Sequence, residues 1–160
     1  MAPIALCVLA AAVTTASAAT STPGLRATTP SYTFKLVIGM PAQLWTPAQL
    51  KFTPETGEAL LMGPGTAISL SSSQRHLDVH IYSRSTAKPV AGAHPTITVT
   101  DITAKNAKPM KIPVAELEGV AKGPADLHYG NNVNLTPGHH YKVTVTLNGQ
   151  QAILEATAPS

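Results

Sequence analysis

The sequence predicts an all-β protein, folded as a sandwich of about seven to nine short antiparallel strands. Short segments alternate between apolar and polar residues, which is the period of a half-buried strand. Fourteen prolines and eleven glycines among 160 residues indicate frequent turns and disfavour long helices. The expected strands are residues 32–38, 58–62, 66–70, 75–84, 96–102, 110–117, 141–147 and 151–156, and one helical turn is expected at 47–50.

Three local signals refine this pattern. Pro113 interrupts the segment 110–117 and predicts an edge strand there. Asn148-Gly149 predicts a two-residue hairpin turn between the last two strands. Leu135-Thr-Pro-Gly-His-His-Tyr141 is typical of a tyrosine corner, in which a phenol bonds to upstream backbone at the start of a strand. The corner motif favours an immunoglobulin-like β-sandwich over a barrel.

The first residues read as a secretory signal peptide. Residues 1–19 carry no charged side chain and combine an apolar run with a small-residue cleavage pattern at Ala16-Ser17-Ala18. Residues 20–31 read as a flexible leader and 32–158 as the sandwich domain. We therefore expect an exported protein, periplasmic, extracellular or in the cell envelope, without a membrane span after cleavage. Removing the signal also removes Cys7, the single cysteine, so no disulfide is expected.

Charge and motifs exclude two classes of function. The net charge of +3 is scattered over isolated lysines and arginines, whereas nucleic-acid sites gather a basic stripe with aromatics. No nucleophile elbow, zinc-protease helix motif or phosphate loop occurs in the sequence. The chain is therefore expected to be neither a nucleic-acid-binding protein nor an enzyme.

The strand at 75–84 carries the most informative pattern. One face holds Leu77, Val79 and Ile81, and the other holds His76, Asp78 and His80. The apolar face predicts contact with the core, and the polar face presents two imidazoles around a carboxylate. Imidazole and carboxylate are strong metal ligands available without thiols.

Backbone spacing limits which of these residues can share an ion. His76 and His80 lie about 13 Å apart along a strand, too far for one ion to reach both easily. His76 with Asp78, or Asp78 with His80, can share one, and the missing ligand must come from elsewhere. His128 is the strongest candidate, in a Gly-rich segment expected to be irregular rather than a smooth strand.

These motifs resemble a known family. His76-Leu-Asp-Val-His80, then His128-Tyr-Gly-Asn-Asn-Val133, then the Pro-Gly-His-His-Tyr segment are similar in order to the periplasmic iron-transport accessory proteins. The resemblance implies an immunoglobulin-like domain that binds copper or iron, with His76, Asp78 and His128 at ligand positions. It also implies a homodimer and an inner-membrane metal permease as partners. Asp78 stands where the family has Glu, and the family's Met ahead of His-Tyr-Gly has no counterpart here.

The prediction is thus an exported metal-binding protein supporting metal uptake or handling in the cell envelope, with His76, Asp78, His128 and His80 as candidate ligands. The alternative is a structural or interaction β-sandwich without metal. In that case His80 is a surface residue and His128 a structural corner bonded to backbone. The other histidines are expected in a turn or loop: His94, His139 and His140.

Overall fold

The computed structural model describes residues 24–52, 54–69 and 73–160. The expected signal peptide and the first part of the expected leader lie outside these residues. The strands are β1 (Arg26–Thr28), β2 (Tyr32–Gly39), β3 (Leu44–Trp45), β4 (Glu58–Met62), β5 (Gln74–Ser83), β6 (Thr96–Asp101), β7 (Met110–Lys111), β8 (Ala115–Gly119), β9 (His128–Asn134), β10 (His140–Leu147) and β11 (Gln150–Thr157). One helical turn, α1 (Pro47–Leu50), and a 3-10 turn at Pro124–Asp126 complete the regular structure of the described residues.

These strands form two sheets. The larger has the order β1-β2-β5-β9-β8-β4-β3 and the smaller β11-β10-β6-β7. Neighbouring strands run antiparallel, except the parallel pair β3 and β4. Strands β2, β5, β9 and β8 take the places of A, B, E and D of an immunoglobulin domain, and β6, β10 and β11 those of C, F and G. The predicted immunoglobulin-like β-sandwich is therefore confirmed.

The hydrophobic core fills the space between the sheets. Leu77, Val79 and Ile81 of β5 are at most 1% exposed and belong to it, as the alternation predicts. The small sheet contributes Val143 and Val145 of β10. Burying one such side chain fully stabilises the fold by about 1.5–3 kcal/mol. Because these three apolar residues hold one face of β5 against the core, they also determine which side chains lie on the other face.

Both predicted turn motifs are present. The backbone N–H of Thr136 donates to the phenol oxygen of Tyr141 at 2.7 Å, which forms a tyrosine corner at the start of β10. Asn148 and Gly149 have φ of 48° and 73°, the left-handed values that a type I′ hairpin turn requires. These contacts set the connection into β10 and the register between β10 and β11.

Two expected strands were wrong in detail. Residues 110–117 form two strands in different sheets: β7 at the edge of the small sheet, and β8 inside the large one. Pro113 lies where the chain crosses between them. Residues 66–69 form no strand, and two of their backbone N–H groups donate to side-chain amides instead: Thr66 to Asn131 Oδ1 and Ser69 to Gln74 Oε1. Leu70 lies outside the described residues.

Three further expectations need correction. Part of the expected leader, Arg26–Thr28, pairs with β2, so the domain begins before Tyr32. His128–Asn134 is a regular strand between β5 and β8, not an irregular segment. The described residues contain eleven strands rather than seven to nine, because β1 and β3 are short edge pieces that simple alternation does not detect and the expected strand 110–117 is divided into β7 and β8.

Candidate metal centre

The face of β5 directed away from the core carries the predicted ligands. His76, Asp78 and His80 alternate with core residues and are nevertheless shielded from solvent, with His76 3% and His80 7% exposed. The expectation of a wet surface position for His80 is therefore wrong. Strand β9 lies next to β5, with Asn132 opposite His76 and Gly130 opposite Asp78. The start of β9 consequently brings His128 beside the same face.

Four side chains converge there, and we call them the His–carboxylate cluster: Glu58, His76, Asp78 and His128. Asp78 Oδ1 lies 2.7 Å from His76 Nε2 and 3.5 Å from His128 Nε2. Glu58 Oε2 lies 3.8 Å from His128 Nε2. The two imidazole rings meet edge to face, with centroids 6.0 Å apart. The structure thus brings three predicted ligands together and adds Glu58 from β4, which sequence reasoning missed.

Asn132 fixes the orientation and tautomer of the His76 ring. Its Nδ2 donates to the carbonyl oxygens of Ala42 and Thr66, both at 2.8 Å, so its Oδ1 is the acceptor. That oxygen lies 3.0 Å from His76 Nδ1, which must therefore carry a hydrogen. In the neutral ring the lone pair then lies on Nε2, the atom that faces Asp78.

His128 is held in the same way. Its Nδ1 lies 2.6 Å from the backbone carbonyl oxygen of Asp126, so Nδ1 donates and Nε2 keeps the lone pair. Histidines that ligate metals usually donate their other ring N–H to a carbonyl or similar acceptor. The backbone bond expected for a purely structural corner is thus also the bond that prepares His128 Nε2 as a ligand.

The centre of the cluster contains acceptors without donors. Among the described residues the buried side-chain atoms without a hydrogen-bond partner are Glu58 Oε2, His76 Nε2, Asp78 Oδ1, His80 Nδ1 and His128 Nε2. The contact between His76 and Asp78 has ion-pair distance, but its direction does not make a hydrogen bond. An unpaired buried polar group costs about 1–3 kcal/mol. Protons or a cation between these atoms would remove that cost.

Two groups in the cluster hold protons more tightly than usual. Burial raises the pKa of Glu58, and the nearby Asp78 carboxylate raises it further, against the opposing effect of His128. Burial lowers the pKa of His76, but the contact with Asp78 outweighs it and the net pKa is raised. A cation entering the cluster must therefore displace protons.

His80 lies beside the cluster rather than in it. Glu58, His76 and His128 form one group whose ligand atoms lie within 4.8 Å of one another, and His80, Asp126 and His128 form a second. The His80 and His128 ring centroids are 5.2 Å apart. His128 Nε2 has one lone pair and can serve one ion at a time. His76 and His80 thus belong to different groups, as expected from their spacing of about 13 Å along a strand.

The cluster offers two imidazole nitrogens and two carboxylate oxygens. Such a donor set suits Cu(II), iron or Zn(II), whereas softer Cu(I) prefers thiolate or thioether sulfur. Two of the three remaining histidines pair with other carboxylates: His139 with Asp101 at 2.7 Å and His140 with Glu155 at 3.3 Å. Within the described chain, neither belongs to a group of three possible ligands.

No family model matches the sequence, and comparison with curated proteins and with solved structures finds no similar protein. In the part of the chain that the structure describes, no helix is long and apolar enough to cross a membrane. The geometry of the cluster is therefore the main indication of function.

Proposed function

We propose that this protein is an exported metal-binding protein that holds copper or iron in the His–carboxylate cluster and supports metal uptake or handling in the cell envelope. The observation that carries the proposal is the convergence of four buried, unpaired atoms with no hydrogen-bond donor among them. Such an arrangement leaves the metal-free protein with uncompensated polar groups, and a divalent cation bound by the two imidazoles and a carboxylate compensates them together.

The surroundings of the cluster support a ligand role over a structural one. Each histidine donates through Nδ1 to a fixed oxygen, of Asn132 for His76 and of Asp126 for His128. Both rings therefore direct Nε2 towards carboxylate oxygens, which is the arrangement of histidines that ligate a metal. In the proposed site Asp78 and Glu58 supply the negative charge, and burial excludes water that would compete for the ion.

Export and cellular role depend on sequence features. The signal-like residues 1–19 support passage out of the cytoplasm. The order of the His76 and His128 segments, similar to that in iron-transport accessory proteins, supports a role in metal uptake. A homodimer and an inner-membrane permease are the partners that this resemblance implies.

The test is titration of the purified, metal-free protein with Cu(II), in which binding is measured by calorimetry and by the copper absorption spectrum. We expect one tight equivalent in the wild type. His128→Ala should weaken binding by more than about 100-fold, because loss of a supporting residue alone costs about 10–100-fold. His139→Ala, which removes a histidine outside the cluster, should leave the affinity unchanged. Equal affinity in wild type and His128→Ala would contradict the proposal and favour the metal-free alternative.

A further inference from the structure

The polar face of β5 continues beyond His80 into a second concave site. This cavity has a volume of about 360 Å³ and is lined by Arg26, Thr33, Lys35, Tyr82, Ser83 and Arg84 among others. We call it the cationic pocket. Its volume falls in the range of small-molecule sites, and its lining includes three cationic side chains and no carboxylate.

Strand register explains how the three outer strands build this pocket. Lys35 of β2 lies opposite His80 of β5 and, on its other side, opposite Arg26 of β1. Thr33 lies opposite Tyr82. Residues opposite one another in antiparallel strands share a face, so the two cations and the phenol lie in neighbouring rows.

The positive charge of the pocket is not neutralised by the protein. Among the described residues, no carboxylate lies within ion-pair distance of Arg26, Lys35 or Arg84. Arg84 Nη1 donates to the carbonyl oxygen of Thr29 at 3.2 Å, which holds its guanidinium near the rim. Like charges gathered around a concavity repel one another unless an anion is bound between them.

We propose that the cationic pocket binds a small organic polycarboxylate with two or three carboxylate groups. The cations stand on three different segments around the pocket and can each pair with a separate carboxylate. The two guanidinium groups suit bidentate contacts with planar carboxylates. Tyr82 supplies an aromatic wall for the carbon skeleton between the charges.

The position of the pocket relates this ligand to the metal site. Tyr82 stacks on His80 with centroids 6.3 Å apart and an interplanar angle of 8°, and His80 adjoins His128 of the cluster. Polycarboxylates chelate transition metals, so an anion bound here places metal-binding oxygens beside the His80 side of the cluster. This last consequence rests on the proposed metal function, whereas anion binding itself does not.

The experiment is calorimetric titration of the metal-free full chain with citrate, at constant ionic strength. We expect saturable binding of citrate and binding of acetate at least tenfold weaker. Lys35→Gln and Arg26→Gln should each weaken citrate binding by roughly tenfold, since each removes a charge-assisted contact. Lys111→Gln on β7 of the opposite sheet makes the same change in net charge and should have no effect. Thermal melting checks that every variant is folded.

Three outcomes would overturn the proposal. They are absence of citrate binding to the wild type, equal weakening by Lys111→Gln and Lys35→Gln, and inorganic phosphate binding as tightly as citrate. The last would assign the pocket to a compact oxyanion. The copper titration is independent, so a chain that binds copper but not citrate contradicts only this inference.

Discussion

Replacing Asp78 by Asn should stabilise the metal-free protein while impairing metal binding. The carboxylate oxygen lies 2.7 Å from His76 Nε2, so two acceptors face each other when the ring is neutral. An amide nitrogen there can donate to Nε2 once the side chain rotates to align with the lone pair, which turns an unfavourable contact into a hydrogen bond. The substitution also removes the negative charge that helps to raise the pKa of Glu58.

The expected size of the stabilisation by Asp78→Asn follows from the free-energy cost of unpaired buried groups. Satisfying His76 Nε2 and removing an unpaired buried oxygen should raise the free energy of unfolding by about 1–3 kcal/mol. For a domain of this size each kcal/mol raises the melting temperature by roughly 3–5 °C. With Cu(II) the wild type should melt at the higher temperature. The variant has lost a charged ligand, so its copper-induced rise in melting temperature should be much smaller.

The change in stability caused by Asp78→Asn should depend on pH. The pKa of His76 is raised in the folded protein, so its protonated form contributes stability that is fully present below pH 6.5 and is lost as the pH rises through the folded value. At low pH the imidazolium is attracted by charge to the Asp78 carboxylate 2.7 Å away, and Asp78→Asn then removes this favourable contact. We therefore expect destabilisation near pH 5.5 and a shift towards stabilisation as the pH rises to 8.

The assay is thermal unfolding with EDTA and with one equivalent of Cu(II), at both pH values. Glu118→Gln is the matched control, since it removes one negative charge from β8 outside the cluster and should change neither melting temperature strongly. Equal destabilisation of the metal-free protein by Asp78→Asn at pH 5.5 and pH 8, or retention of the full copper-induced shift, would contradict this prediction.

Three further changes test other parts of the structure. Gly130→Ala should lower the free energy of unfolding by more than about 4 kcal/mol, since the new Cβ would collide with a carbonyl oxygen of β5. Gly39 has open space around it, so Gly39→Ala should be tolerated. Urea unfolding of both variants measures the difference. Tyr141→Phe removes the hydrogen bond from the exposed Thr136 N–H and should lower the free energy of unfolding by about 0.5–1.5 kcal/mol, measured in the same way. Burial raises the pKa of Glu58, so the protonated carboxyl group contributes stability that is fully present below pH 4.5 and is lost as the pH rises through the folded value. Glu58→Gln should therefore flatten the pH dependence of the metal-free melting temperature.

Alternation and turn chemistry made much of the fold predictable. The two faces of β5 follow from the chain's own period, because Leu77 and its apolar neighbours must be buried together. Asn148-Gly149 and the Tyr141 corner are local motifs whose geometry is set by the residues themselves. These features are determined within about ten residues of sequence, and they sufficed to identify the sandwich.

The partners of the metal cluster could not be found in this way. Glu58 reaches the cluster through the order β9-β8-β4, and nothing near Glu58 in sequence signals that arrangement. The role of Asn132 depends on Ala42 and Thr66, which lie 90 and 66 residues away along the chain. Residues 66–69 alternate like a strand, yet their hydrogen bonds go to side chains that only the folded structure places there.

The sequence of β9 has a physical explanation in the proposed site. His128, Gly130 and Asn132 are alternate residues of one strand, and register places Gly130 opposite Asp78 and Asn132 opposite His76. His128 supplies a ligand atom, and Asn132 orients the His76 ring. Gly130 has no side chain, which permits the close approach of β9 to β5 beside Asp78. A larger residue at this position would separate the strands that hold the two histidines, so Gly130→Ala should impair copper binding in any molecules that still fold.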